Sequence, residues 1–350
     1  MSPTQEALRN WYPRMVANGV DYNDAEETLK RIDSWGDWCR QWCKTAAIHE
    51  SLAREAIGRG RRCTAAEAFL RASITYHFAQ FVWDEDLRQK QQAQDKKVEM
   101  FRAALAHLEP PVEWVEIPFE GTVLPGYLRK PPGARRPPVV LIIPGLDSTK
   151  EEFYSFGGDF LARGLAVLAF DGPGQGEVYP RIKMREDYES AVSAVIDFVT
   201  GREDLDGERV GVCGISTGGF YAPRAAAFDK RIRACVGVAG FFDISDCWDA
   251  MPELTRKGFR YAWGAADLEE ARERSKAICL KGIARRITCP LLIIHGALDR
   301  IVPVSHGEAI VAEASGPKEL ALFPEGNHVC NNIPYKYRPL AADWLREASG

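Results

Sequence analysis

From residue 139 onward the chain repeats one pattern, a short continuous apolar run followed by a longer amphipathic stretch. The runs Val139–Ile143, Leu165–Phe170, Val210–Cys213, Ala234–Val238, Leu291–Ile294 and Leu320–Phe323 predict strands. The stretches Lys150–Ala162, Glu186–Val199, Gly218–Phe228, His306–Ala314 and Lys336–Glu347 predict helices. Strands that are apolar throughout, rather than alternating, are buried on both faces, so the pattern implies a mostly parallel sheet layered between helices. Before it, Val115–Phe119 and Val123–Leu128 read as a hairpin turning at Glu120-Gly121-Thr122. Up to about Glu109 the texture is helical and strand-free, with Phe69, Ile74, Phe78, Phe81, Val98, Phe101 and Leu105 at helical spacing. Pro110-Pro111 ends that region, since proline cannot continue a helix. The reading is an α/β chain: a helical cap domain at 1–111 and an α/β domain at 112–350. Within the latter, 241–286 forms a strand-free, lid-like helical insertion.

Composition narrows the function classes. A net charge of −4 gives no reason to expect nucleic acid or an anionic membrane as partner. No apolar run approaches the roughly 20 residues that a membrane helix needs. The nine cysteines are odd in number and without paired spacing, which predicts reduced thiols and a cytoplasmic location.

Gly214-Ile215-Ser216-Thr217-Gly218 follows an apolar run and carries the G-x-S-x-G pattern of a nucleophile elbow. A serine hydroxyl is almost fully protonated at pH 7 and needs a base to attack. His328, after the last apolar run in Gly326-Asn327-His328, is the candidate base. Asp299, in Gly296-Ala297-Leu298-Asp299, is the candidate acid that would orient it, with Asp243, Asp246 and Asp249 as rivals. An oxyanion hole needs two backbone amides. Thr217, the residue after the serine, should supply one. The loop after Val139–Ile143 should supply the other, from Leu146 or alternatively Gly145. Asp171-Gly-Pro-Gly-Gln-Gly-Glu177 lacks the spacing of a phosphate or dinucleotide loop and reads as a structural turn bordering the site. Cys39, Cys43 and His49 have no second ligand pair, and with Trp35, Trp38 and Trp42 they read as core; no metal is expected.

Gly145-Leu-Asp-Ser-Thr-Lys-Glu-Glu152, Asp171-Gly-Pro-Gly-Gln-Gly176, the Ser216 elbow and Gly326-Asn-His328 together resemble one branch of the α/β-hydrolases. That branch carries an N-terminal helical cap. It includes 2,6-dihydroxypseudooxynicotine hydrolase, fungal hydrolases that shorten polyketides, and the fermentation–respiration switch protein. The chain order Ser, Asp, His is that of the superfamily. The resemblance implies an α/β-hydrolase fold, the triad Ser216, Asp299 and His328, no cofactor, a homodimer, and hydrolysis of a C–C bond next to a ketone. Two departures stand out. Pro144-Gly145 replaces the Gly-Gly common in the branch, and the extra acid of the pyridine-cleaving relative has no certain match. Asp246, Asp249 and Trp248 are the candidate substrate contacts. The expected partner is a small carbonyl compound. A carboxylesterase or thioesterase needs the same triad, and a non-catalytic binding protein on this scaffold is the reading from another class.

Overall fold

A computed structural model describes residues 2–349, which divide into two compact units. The first comprises Met1–Trp114 and Glu151–Ser155, the second Val115–Lys150 and Phe156–Gly350. The sequence texture alone puts a single cut near residue 111. The contacts instead place it after Trp114 and return five residues of the later chain to the helical unit.

The helical unit contains α1 (Pro3–Ala17), α2 (Tyr22–Leu29), α3 (Trp38–Gly58), α4 (Arg62–Gln80) and α5 (Leu87–Leu105). α1 starts on a capping box: the Ser2 hydroxyl accepts from the Gln5 amide while the Gln5 side chain accepts from the Ser2 amide. Ala46, Ala53 and Ala56 of α3 share a core with Ala65, Ala68 and Ala72 of α4. Side chains this small let helices approach closely, and Phe69, Tyr76 and Met100 fill the space left over. Trp35, Trp38 and Trp42 are buried, and the Trp38 indole donates to the Phe78 carbonyl at 2.9 Å. Cys39 and Cys43 lie with sulfurs 4.0 Å apart as free thiols, and His49 pairs with Asp24.

Buried charges explain why Glu151–Ser155 belongs to this unit. The Arg14 guanidinium grips Glu152 with two bonds of 2.6 and 2.7 Å, Asn18 donates to the same carboxylate at 2.7 Å, and His77 Nε2 lies 3.3 Å away. Lys97 pairs with Glu151 at 3.0 Å. Burial alone would raise the Glu152 carboxyl, but Arg14 and His77 outweigh it and hold the group well below the usual carboxylate range. A folded-state pKa below the unfolded value stabilises the fold above the ordinary carboxylate range, and that contribution disappears as pH falls below it. Arg14→Leu leaves Glu152 buried without its main partner. It is expected to destabilise the unit by about 3–5 kcal/mol at pH 7, read as a lowered urea midpoint. The gap to the parent narrows at acidic pH, where Glu152 protonates in the variant; a gap that is constant with pH would refute this account.

The second unit is an eight-stranded sheet in the order β1-β2-β4-β3-β5-β6-β7-β8. Its strands are β1 (Val112–Phe119), β2 (Thr122–Arg129), β3 (Pro138–Ile143), β4 (Ala166–Phe170), β5 (Asp206–Ile215), β6 (Ile232–Val238), β7 (Leu291–Gly296) and β8 (Lys318–Phe323). Only the hairpin end is antiparallel; β4 through β8 pair in parallel. Helices α6 (Tyr154–Leu161), α7 (Glu189–Thr200), α8 (Gly218–Phe228), α11 (Val304–Glu313) and α12 (Pro334–Ala348) follow the strands, with α9 (Glu253–Trp263) and α10 (Leu268–Ser275) in the strand-free insertion. The hairpin turn is two residues long. Glu120 and Gly121 both have positive φ, the requirement of a type I′ turn, and Thr122 already belongs to β2. β3, β4 and β7 are buried along their whole length, as runs without alternation require. β8 departs from this: none of its residues is fully buried, because it is the sheet's edge. Among the described residues no helix is long and apolar enough to cross a membrane.

Candidate active site

The strand order reverses between β3 and β5: the chain leaves β3 for β4 on one side, then returns to place β5 on the other. Loops at the carboxyl ends of strands diverge at such a switch point and leave a crevice. The elbow follows β5, and the segment Pro144–Lys150 follows β3.

Ser216 holds φ at +59°, a left-handed conformation uncommon for a residue with a side chain. Its amide donates to the Val238 carbonyl at 2.8 Å and its carbonyl accepts from Gly219 at 2.7 Å, so strand and helix clamp the strained residue from both sides. The flanking glycines are sterically required. A Cβ on Gly214 would lie 1.9 Å from the Gly218 carbonyl oxygen, and one on Gly218 would lie 2.1 Å from the Ile143 oxygen.

β7 and β8 run in register, Leu291 opposite Lys318 through Gly296 opposite Phe323, so the loops leaving them emerge side by side. Asp299 is on the first and His328 on the second. His328 Nε2 lies 2.9 Å from Ser216 Oγ, and its Nδ1 lies 2.8 Å from Asp299 Oδ2. Asp299 is fully buried, and its other oxygen accepts from the amides of Ile301 (2.8 Å) and Val302 (2.9 Å). Those two donors fix the plane of the carboxylate. The Nδ1–H faces Asp299, which leaves a lone pair on Nε2 directed at the serine.

Two supporting residues escape a sequence reading. His295, on β7, puts Nε2 at 2.9 Å from the Val302 carbonyl and 3.7 Å from Asp299 Oδ2. Burial lowers its pKa and favours the neutral ring, so it packs behind the acid without adding a charge. Asn332 braces the histidine loop: its side chain accepts from the Asn327 amide at 2.9 Å and donates to the Glu325 carbonyl at 2.8 Å. A sequence signal exists only in hindsight, as paired asparagines around His328.

The rival acids are occupied elsewhere. Asp243 accepts from the Ser245 amide and hydroxyl at the start of a short helical turn. Asp249 pairs at 2.7 Å with Arg272, and its side chain is 72% exposed. Asp246 is exposed, and Trp248 is buried against Phe259 and Trp263. Among the described residues no hydrogen bond or ion pair joins Asp246, Trp248 or Asp249 to the serine, histidine or Asp299. Burial pushes the thiols of Cys247 and Cys330 up to about 12, which makes them packing groups and not second nucleophiles.

The loop after β3 lies against the elbow. A Cβ on Gly145 would sit 2.9 Å from the Ile215 oxygen and 3.1 Å from Ser216 Cβ, so only glycine allows this approach. Within the described residues the amides of Leu146 and Thr217 donate to no protein group. The Asp171–Glu177 segment is a turn built around Lys150, whose ammonium takes Asp171 at 2.8 Å and Glu177 at 2.6 Å.

Residues 18–347 match a protein family described as esterase FrsA-like. The chain is 36% identical to 2,6-dihydropseudooxynicotine hydrolase of Paenarthrobacter nicotinovorans, covering 99% of this chain and 93% of that one. It is also 36% identical to 20-hydroxy-prefusarin hydrolase FUS2 of Gibberella moniliformis, over 70% of this chain and 62% of the relative. The crystal structure of 2,6-dihydroxy-pseudo-oxynicotine hydrolase superposes with a TM-score of 0.89 at 34% identity, covering 96% of this chain and 95% of that one.

Proposed function

This chain belongs to the FrsA-like esterase family, and from that premise we propose that it is a serine hydrolase that cleaves a C–C bond next to a ketone. It is a hydrolase with the α/β-hydrolase fold. The observation that carries the serine mechanism is the unbroken chain Ser216 Oγ, His328 and Asp299, with both hydrogen bonds at 2.9 Å or less, and the choice of a C–C bond rests on the full-length similarity to 2,6-dihydropseudooxynicotine hydrolase.

In this reading Ser216 Oγ adds to the substrate carbonyl while His328 Nε2 takes its proton. Asp299 holds the imidazole tautomer and stabilises the imidazolium. The amides of Leu146 and Thr217 stabilise the oxyanion as it forms. Collapse of the adduct expels the carbon group with its bonding pair as an enolate or phenolate anion, and His328 returns the proton to it. Water, activated by the same histidine, then hydrolyses the acyl-serine and releases a carboxylic acid. None of these steps calls for a cofactor. The substrate class, an aromatic or polyketide-like β-dicarbonyl or aryl ketone, is supported by full-length similarity to the nicotine-pathway relative.

Ester hydrolysis is the second reading, favoured by the description of the matched family as esterase. Assaying acyl-phloroglucinols and 1,3-diketones beside p-nitrophenyl esters separates the two. Carboxylic acid release from the diketone set is expected. Ester turnover with no release from any diketone would overturn the C–C reading and leave the esterase.

A further inference from the structure

The segment Asp171-Gly-Pro-Gly-Gln-Gly-Glu177 has no place in the chemistry above, yet it holds both ends of the loop that carries Leu146. At the far end, Asp171 accepts from the Lys150 amide and from its ammonium, both at 2.8 Å. At the near end, Gln175 is buried, and its Nε2 donates to the carbonyls of Pro144 (2.8 Å) and Gly145 (3.0 Å). Its Oε1 accepts from the Gly172 amide at 2.9 Å and from the Tyr188 hydroxyl at 2.8 Å. Both N–H groups and the oxygen are therefore engaged, and the carboxamide has one orientation. Tyr188 stacks on Tyr221, ring centroids 4.0 Å apart and 11° from parallel, and Tyr221 lies on α8, the helix that follows Ser216. Burial pushes the Tyr188 hydroxyl well up, which keeps it a donor.

The carbonyl of Gly145 and the amide of Leu146 belong to one planar trans peptide and point in opposite directions. Holding the carbonyl therefore aims the amide. Gly145 is the residue that backs onto Ser216, so this peptide borders the nucleophile. We infer that Gln175 is a positioning residue for the oxyanion hole, its carboxamide fixing the Pro144–Gly145 carbonyls so that the Leu146 amide is set before substrate arrives. The inference rests on the reading of Leu146 as an oxyanion donor. Glutamine suits the position because two carbonyls demand two donors; a glutamate carboxylate would set acceptor against acceptor. A Cβ on Gly258 of α9 would lie 3.2 Å from Leu146 Cδ2, so the glycine leaves room for the Leu146 side chain.

The test uses Gln175→Leu, close in shape and without donors, and Tyr188→Phe, which keeps the stacking and removes the hydroxyl that orients the carboxamide. p-Nitrophenyl acetate reports kcat and KM. 1,1,1-Trifluoroacetophenone, which adds to the serine to form a tetrahedral oxyanion, reports complementarity to that state. Deleting an oxyanion donor outright lowers kcat by about 10²–10³-fold, and misaiming one should lower it by about 10-fold or more. Gln175→Leu is expected to lose kcat in that range with KM moving less than about 3-fold, and to weaken the ketone by a matching factor. Tyr188→Phe should move both in the same direction by less. Unchanged kcat in folded Gln175→Leu, or a loss confined to KM, overturns the inference and leaves the serine mechanism intact. If Gln175→Leu does not fold, unchanged kcat and ketone affinity in Tyr188→Phe overturn it instead. Full activity of Ser216→Ala would overturn the underlying reading together with it.

Discussion

Ser216→Ala is expected to lose at least about 10⁴-fold in kcat on any substrate the enzyme turns over, and to lose all labelling by a fluorophosphonate probe. The loss is large because no other group can replace the oxygen. Cys330 and Cys247 are buried thiols held protonated, and His328 has no second hydroxyl within its hydrogen bonds. Alanine retains a Cβ in the same left-handed conformation, so the strain at residue 216 is unchanged and the thermal midpoint should stay within about 2 °C. In the proposed mechanism serine and histidine act as one unit, so Ser216→Ala/His328→Ala should be no slower than either single variant. A double variant slower by the product of the two losses would mean that the groups act separately.

Asp299→Asn is expected to lower kcat by about 10⁴-fold while leaving the fold intact. The oxygen that accepts from the Ile301 and Val302 amides can remain an acceptor in asparagine. The opposite position becomes an NH₂ facing His328 Nδ1 across 2.8 Å. Two donors cannot share that bond, so Nδ1 must present its lone pair and the ring proton moves to Nε2. The imidazole then faces Ser216 with an N–H and cannot accept the serine proton. Kinetics should show the loss mainly in kcat, with KM little changed. A drop of less than 10-fold would show that the orienting acid lies elsewhere.

Legibility was uneven. Each of the six apolar runs from Val139 to Phe323 falls in a strand: those of β3, β4 and β7 have no solvent face, whereas the last lies on the edge strand β8, where Leu322 is exposed. The elbow was readable because close packing at Gly214 and Gly218 and the strained φ of Ser216 leave local marks in composition. Gln175 lay in a glycine-rich stretch readable as a turn bordering the site, but its role was not readable, nor were those of His295 and Asn332: their partners lie at Pro144–Gly145, Val302 and Glu325–Asn327 and make no motif by spacing. Likewise Arg14 and Glu152 lie 138 residues apart, so a charge pair that determines where Glu151–Ser155 belongs had no linear signature.

Strand, helix and turn type follow from forces acting over a few residues: apolar periodicity, the φ a side chain tolerates, the donors a helix start exposes. Most strands and helices were written in the chain, as was the Ser216 elbow, while the hairpin turn is one residue shorter than its reading. Asp299 was the acid named from the chain, but Asp243, Asp246 and Asp249 stayed as rivals, since all four follow strands and look alike locally. Sheet order decided it. Parallel pairing of β7 with β8 brings Asp299 and His328 out of adjacent strands, and the reversal between β3 and β5 puts Gly145 against Ser216. Hydrogen bonds and charge pairs act over a few ångströms of space, whatever the separation along the chain.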